Sequence, residues 1–162
     1  MLKIVTYPNP VLRQKAEPLE DIDDSIRRLI DGMAEVMYSD DGVGLAAPQV
    51  GVSERLIVLD AGEGLMSFVN PEIIQKREDE ETVEEGCLSL PGIRLEISRP
   101  TRIAVRGLNE KGEPVEMEIE GLLARVFQHE IDHLNGILII DYASSLQRTL
   151  MKSRLKELGK KG

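Results

Sequence analysis

Leu122-Leu123-Ala124-Arg125-Val126-Phe127-Gln128-His129-Glu130-Ile131-Asp132-His133-Leu134-Asn135-Gly136 decides both the fold of this chain and the chemistry it carries. Leu122, Val126, His129 and His133 recur at helical spacing on one face, while Leu123, Phe127 and Leu134 add apolar surface around it. A helix that is apolar over so much of its circumference is buried over most of it. Asn135-Gly136 is a helix stop. Inside the segment lies an H-E-x-x-H motif, and its His129 and His133 are the only two histidines of the chain. Positions i and i+4 share a helix face, so both imidazoles can bind one ion, with Glu130 beside it to handle protons.

The single cysteine, Cys87, stands forty-two positions upstream, in Glu85-Gly86-Cys87-Leu88-Ser89. All the soft ligands of the chain therefore fit one site. Two histidines and a glutamate on an apolar helix would be costly to bury without a partner. Two neutral imidazoles and a thiolate leave a fourth position open, as catalytic sites do. A third segment, Gly42-Val43-Gly44-Leu45-Ala46-Ala47-Pro48-Gln49, has two glycines flanking one side chain, which suits close approach of another backbone. Gln49 is an uncharged N–H donor and suits an oxyanion. Two other readings fit these residues. An H-E-x-x-H zinc endopeptidase normally takes a third ligand downstream, yet no histidine follows His133, and Asp141 and Glu157 stand in no matching motif. A structural metal staple is usually closed by four protein ligands, whereas three soft ones are on offer.

Outward from these motifs the chain reads as α+β. Its 162 residues suit one domain, 1–162, with a single good core. Residues 24–38 predict an amphipathic helix with Ile26, Leu29, Ile30, Met33 and Met37 inward, capped by Asp23 or Asp24 and ended by Asp40-Asp41-Gly42. Strands are expected at 55–59, at Phe68-Val69-Asn70 with Pro71 closing it, and at Ile137 to Ile140. Residues 102–107 and 114–119 suggest a hairpin around Lys111-Gly112. The acidic stretch Glu78 to Glu85 suits an exposed loop or edge strand, except for Glu85. Glu85 lies two residues before Cys87 and so points to the same side; it is expected to orient a histidine or an arginine such as Arg99. A last helix, 145–158, carries Leu146, Leu150, Leu155 and Leu158, followed by a basic tail, 159–162. The architecture expected is short, mostly antiparallel strands around a central buried helix, plus this C-terminal helix.

Composition excludes several classes. With 41% hydrophobic and 30% charged residues the chain is an ordinary globular one. A net charge of −9 argues against DNA and general nucleic-acid binding. One cysteine cannot form an internal disulfide, which fits a reducing compartment. No apolar run is long enough for a membrane span, and the N-terminus lacks a signal-peptide pattern, so a cytoplasmic location is expected. Charge is uneven: in residues 143–162, Arg148, Lys152, Arg154, Lys156, Lys160 and Lys161 face only Glu157, a local +5 on a body of −14. A basic tail on an acidic body is a docking element or a solvated helix.

The three ordered motifs resemble those of peptide deformylase, a family marked by G-x-G-L-A-A-x-Q, E-G-C-L-S and H-E-x-D-H. Here they are Gly42–Gln49, Glu85–Ser89 and His129–His133, and the resemblance extends from Tyr7-Pro8-Asn9-Pro10-Val11-Leu12-Arg13 to about residue 142. It implies hydrolysis of the N-formyl group from the formyl-methionine that starts new bacterial polypeptides. By similarity Cys87, His129 and His133 bind the metal, Glu130 is general base and then acid, and Gln49 with the Leu88 backbone N–H holds the oxyanion. The resemblance implies ferrous iron, although the ligand set suits zinc, nickel and cobalt too. The peptide would run beside the 42–45 loop, including Gly44, and the 86–89 segment. Its methionine would meet Val43, Leu122 and Val126, with Arg94 flanking the pocket. Such an enzyme must meet nascent chains, so the basic 143–162 segment is the candidate for a transient ribosome contact.

Overall fold

The computed structural model describes residues 2–161. Among these residues lie three helices, α1 (Asp24–Ser39), α2 (Gly121–Leu134) and α3 (Ser145–Lys161), and seven strands: β1 (Gly44–Ala46), β2 (Leu56–Leu59), β3 (Met66–Lys76), β4 (Glu80–Gly86), β5 (Arg94–Pro100), β6 (Arg102–Leu108) and β7 (Pro114–Glu120). A five-stranded sheet runs in the order β1-β2-β3-β6-β7, and β4 pairs with β5 in a second sheet. Every pairing between these strands is antiparallel. The α+β architecture expected from the pattern is therefore the one observed.

β2 explains how the layers stack. All four of its residues are buried. Successive side chains point to opposite faces, so Leu56 and Val58 join α1 residues Ile26, Ile30, Met33 and Met37, while Ile57 and Leu59 join α2 residues Ala124, Val126, Phe127 and Leu134. A helix covers each face, which is why this short strand reads as a continuous apolar run. Phe127 meets Phe68 edge to face, with ring centroids 5.2 Å apart. Truncating such a buried ring costs about 3–5 kcal/mol, so α2 is pinned to the sheet a half-turn before its histidines.

A third cluster, Leu12, Leu90, Ile93, Leu95, Ile97, Leu138, Ile139, Ile140 and Leu158, joins β5 to the C-terminal segment. Here two expectations change. Residues 137–140 do not form a strand; Ile139–Tyr142 is a 3-10 turn. The Asp141 carboxylate accepts the Leu138 N–H at 2.9 Å, so a local side chain replaces the missing strand partner, and the apolar run is buried by packing alone. The helix α3 extends through Lys161, so most of the expected tail 159–162 is helical. Its leucines also divide: Leu158 is buried and Leu155 partly so, while Leu146 and Leu150 are exposed.

β3 likewise does not close at Pro71. It continues to Lys76 through a register shift between Val69 and Glu72, with Asn70 at φ 52°. The missing proline N–H falls at this irregularity, where the ladder needs no donor. The expected helix at 24–38 and the hairpin at 102–107 and 114–119 are present, the former capped by the Asp23 side chain accepting the Ile26 N–H.

Candidate metal centre

Three separate elements bring the site together. α2 carries His129, Glu130 and His133; the turn that follows β4 carries Cys87 and Leu88; and a 3-10 turn after β1, Ala47–Val50, carries Gln49. The N-terminal segment ties the last two together, since the Val5 N–H donates to the Gln49 carbonyl and the Tyr7 N–H to that of Ser89.

Cys87 Sγ lies 3.3 Å from His133 Nε2, which lies 3.2 Å from His129 Nε2. These are the residues whose donor atoms cluster within 4.8 Å of one another among the described residues. A tetrahedral ion with bonds of ~2.0–2.1 Å to nitrogen and ~2.3 Å to sulfur separates its donors by roughly 3.3–3.6 Å, close to the two separations on either side of His133. Asp141 and Glu157 do not join it: Asp141 is bonded to Arg13 and Glu157 is exposed on α3. Among the described residues, the group whose donor atoms lie near both histidines is the Cys87 thiol, not a downstream carboxylate.

The two imidazoles are pushed in opposite directions. Burial and the positive charge of His129 and Arg99 push the His133 imidazole well below its usual range. Burial also pulls at His129, but Glu130, Cys87 and Glu85 hold it well above. Two ring nitrogens and a sulfur facing one another cannot all act as acceptors without a positive charge among them. A divalent ion meets that requirement with all three donors at once, and the residues present fit it.

Glu85 fixes His129 from behind. Its Oε1 pairs with His129 Nδ1 at 2.9 Å, which leaves Nε2 for the metal side. The same carboxylate accepts Arg99 Nε at 2.6 Å, Arg99 Nη2 at 3.0 Å and Arg125 Nη1 at 2.5 Å. Burial alone would raise its pKa, but His129 and Arg99 hold it down at about 2. The expectation that Glu85 serves a histidine or Arg99 is met on both counts. Arg125 was not foreseen, although it lies one turn before His129 on the same helix face. Asp132, the aspartate of the H-E-x-D-H motif, and Tyr142 also join this network, and nothing in the sequence pattern set Tyr142 apart.

Glu130 is 4% exposed, and its Oε1 has no hydrogen-bond partner. Burial raises its carboxyl to about 7. Gly44 makes room for it: a Cβ there would lie 2.6 Å from both Glu130 Oε2 and Val126 Cγ1. What comes close at Gly44 is therefore side chains of α2, not the second backbone expected of the glycine loop. Gln49 is buried and its Oε1 accepts the Ala46 N–H; its Nε2 faces Ser89 Oγ at 3.2 Å and Cys87 Sγ at 3.6 Å. Ser89, fully buried, closes the E-G-C-L-S motif and joins the site although the sequence reading gave it no role.

A cleft of about 510 Å³ opens over these groups. Val43, Gly44, Gln49, Cys87, Leu88, Arg94, Leu122, Val126, His129 and Glu130 all line it. Val43 and Leu122 are exposed at 44% and 53%, so the mouth has apolar surface with nothing of the protein upon it. Arg94 pairs with Glu84 and lies across Gly86 at the rim. Among the described residues, no helix is long and apolar enough to cross a membrane.

Comparison with known proteins agrees with this geometry. Residues 1–149 match the polypeptide deformylase family. Peptide deformylase of Thermotoga petrophila is 50% identical over 160 residues, covering 99% of this chain and 98% of its own. The crystal structure of peptide deformylase from Thermotoga maritima superposes with a TM-score of 0.86 at 52% identity, covering 87% of this chain and 96% of that one. A peptide deformylase from Legionella pneumophila gives 0.91 at 42% identity, covering 99% and 96%. The chain belongs to the peptide deformylase family, metal-dependent hydrolases that remove the formyl group from N-formyl-methionyl peptides.

Proposed function

We propose that Cys87 Sγ, His129 Nε2 and His133 Nε2 hold one divalent cation, that Glu130 is the general base and then acid, and that Gln49 and the Leu88 N–H stabilise the oxyanion. The observation that carries this reading is the convergence of the three soft donors, 3.2–3.3 Å between neighbours, beside a buried carboxylate with a free oxygen. When bound, the cation supplies Lewis acidity, polarising the formyl carbonyl and making water a nucleophile at neutral pH.

The remaining work falls to the chain's own residues. Glu130 takes a proton from the attacking water and delivers it to the amine nitrogen as the C–N bond breaks, leaving formate and a free α-amino group. Gln49 and Leu88 donate hydrogen bonds to the oxygen on which negative charge grows. Val43, Leu122 and Val126 receive the methionine side chain, Gly44 and residues 86–89 run beside the peptide backbone, and Arg94 flanks the entrance. We assign ferrous iron as the native ion from the family resemblance; zinc, nickel and cobalt suit the same donors. Metal analysis of protein purified without oxygen tests that assignment. Replacing Cys87, His129 or His133 by Ala should remove metal and activity together. Glu130→Gln should keep the metal and lower kcat by ~10²–10⁴-fold; near-normal turnover with metal retained would overturn its role.

We read 1–162 as one catalytic domain in which α3 has two faces. Its inner residues Met151, Leu155 and Leu158 pack on the third cluster, while Leu146, Leu150 and the basic side chains of Arg148, Lys152, Lys156 and Lys160 are exposed. The exposed basic face supports a transient ribosome contact through phosphates, weakening steeply with salt. Deleting the helix would strip the core as well, so charge reversal is the cleaner test. Lys152→Glu/Lys156→Glu should lose low-salt ribosome co-sedimentation while hydrolysing formyl-peptides normally. Equal co-sedimentation would sink the contact.

A further inference from the structure

Tyr142 stands at the outer end of a chain of polar contacts that ends on a metal-binding histidine. It closes the 3-10 turn Ile139–Tyr142, three residues before α3, and is 45% exposed. Its hydroxyl donates to Asp132 Oδ2 at 2.6 Å. Arg99 Nη1 donates to the same oxygen at 3.0 Å and reaches the tyrosine oxygen at 3.4 Å. The Tyr142 ring also covers the guanidinium, with Arg99 Cζ 5.0 Å from its centroid. The other edge of that guanidinium holds both oxygens of Glu85, and Glu85 Oε1 holds His129 Nδ1.

We propose that Tyr142 is a positioning residue for His129, acting through Asp132, Arg99 and Glu85. This rests on the reading of His129 as a metal ligand. The physical argument has two parts. The hydroxyl shares the Asp132 charge with Arg99; without it, Asp132 draws Nη1 harder and tilts the planar guanidinium away from its paired grip on Glu85. The ring keeps water from the Arg99–Glu85 pair, whose side chains are 5% and 6% exposed, and water there would weaken the hold on His129 by raising the local dielectric. Tyr142 stays a donor throughout the working range, since partial burial and Asp132 push its phenol up to about 12. The first residues of the C-terminal segment are thereby coupled to the orientation of a ligand on α2.

The test uses the full chain loaded with cobalt(II), whose visible bands report ligand geometry. Wild type, Tyr142→Phe, Tyr142→Leu and Leu158→Ala are compared for band position, for the rate of cobalt loss to excess chelator, and for kcat and KM on a formyl-methionyl tripeptide. Partners of a ligating histidine typically matter 10–100-fold in metal affinity. Tyr142→Leu should approach ~10-fold faster cobalt loss, and Tyr142→Phe, which keeps the ring, roughly 3-fold. Both should shift the bands and lower kcat with KM changed less than about twofold. Leu158→Ala loosens the same segment without touching the network, so it should lower the melting temperature and leave cobalt loss unchanged. Cobalt loss within twofold of wild type in both tyrosine variants overturns the proposal, as does equal acceleration in Leu158→Ala. A wild type lacking a thiolate-to-cobalt band overturns the ligand reading itself, and this inference with it.

Discussion

Glu85→Gln is the perturbation whose size the structure defines best. The side chain is 7% exposed. Its two oxygens take four hydrogen bonds: Oε2 from Arg99 Nε and Arg125 Nη1, Oε1 from Arg99 Nη2 and His129 Nδ1. A glutamine of the same shape keeps one oxygen. If that oxygen stays with Arg99 Nε and Arg125, the amide N–H₂ is turned on Arg99 Nη2 and on His129, donor against donor. Arg99 keeps Asp132, but Arg125 loses its only carboxylate partner. Breaking a buried pair in this way costs about 3–5 kcal/mol. At 2–4 °C per kcal/mol for a domain of this size, the melting temperature should fall by roughly 6–20 °C. The metal should also be released more readily, by about 10–100-fold in affinity, because the imidazole loses its orienting acceptor. Thermal denaturation followed by circular dichroism reads the first effect, and chelator competition reads the second. Glu85→Leu with Arg99→Leu should regain part of the stability, since one uncompensated guanidinium is gone, but none of the metal affinity. A fall of less than 2 °C in Glu85→Gln with unchanged metal release would refute the reasoning.

The other predictions probe different links. Gly44→Ala should lower kcat by at least ~10²-fold, since its Cβ meets Glu130 Oε2 at 2.6 Å and must displace it; metal content should stay at the wild-type level, and full activity would show that Glu130 tolerates the move. Gly136→Ala places a Cβ 2.5 Å from the Arg13 carbonyl oxygen at a φ of 73°, so unfolding should show a loss of about 1–3 kcal/mol with little change in KM. Asp141 tests acid stability: although partial burial opposes it, Arg13 and the Leu138 N–H hold its carboxyl below the usual range. A lowered folded pKa contributes stability that is complete above the unfolded value of about 3.9 and is lost as pH falls through the folded one. The melting-temperature gap between wild type and Asp141→Asn should therefore narrow below about pH 4; a gap constant into acid would contradict the pairing.

What could be read from the sequence, and what could not, divides along a physical line. The ends of α1 and α2 were legible because local rules set them: Asp23 caps one, Asn135-Gly136 stops the other, and neither needs a distant partner. The triad was legible because the chain holds one cysteine and two histidines. β5 was missed although Leu95, Ile97 and Arg99 alternate inward, because the third inward residue is charged and a charged residue reads as surface. Ile137 to Ile140 looked like a strand because an apolar run records burial, not backbone conformation, and here an aspartate closed a turn instead. Arg99 and Arg125 illustrate the same limit at the site. Each is buried only because Glu85 meets it, and the three come from β5, α2 and β4, so no window of sequence holds the reason. Yet the arrangement follows from the proposed ligand role of His129, which keeps one ring nitrogen for the cation. Its other nitrogen then needs an acceptor; burial raises the carboxyl of a lone glutamate, and His129 together with Arg99 holds that of Glu85 down at about 2. The charge that looks costly in the core is the condition for a fixed imidazole: Arg99, an expected partner of Glu85, and Arg125, which no local pattern predicts, both donate to the carboxylate that pairs with His129.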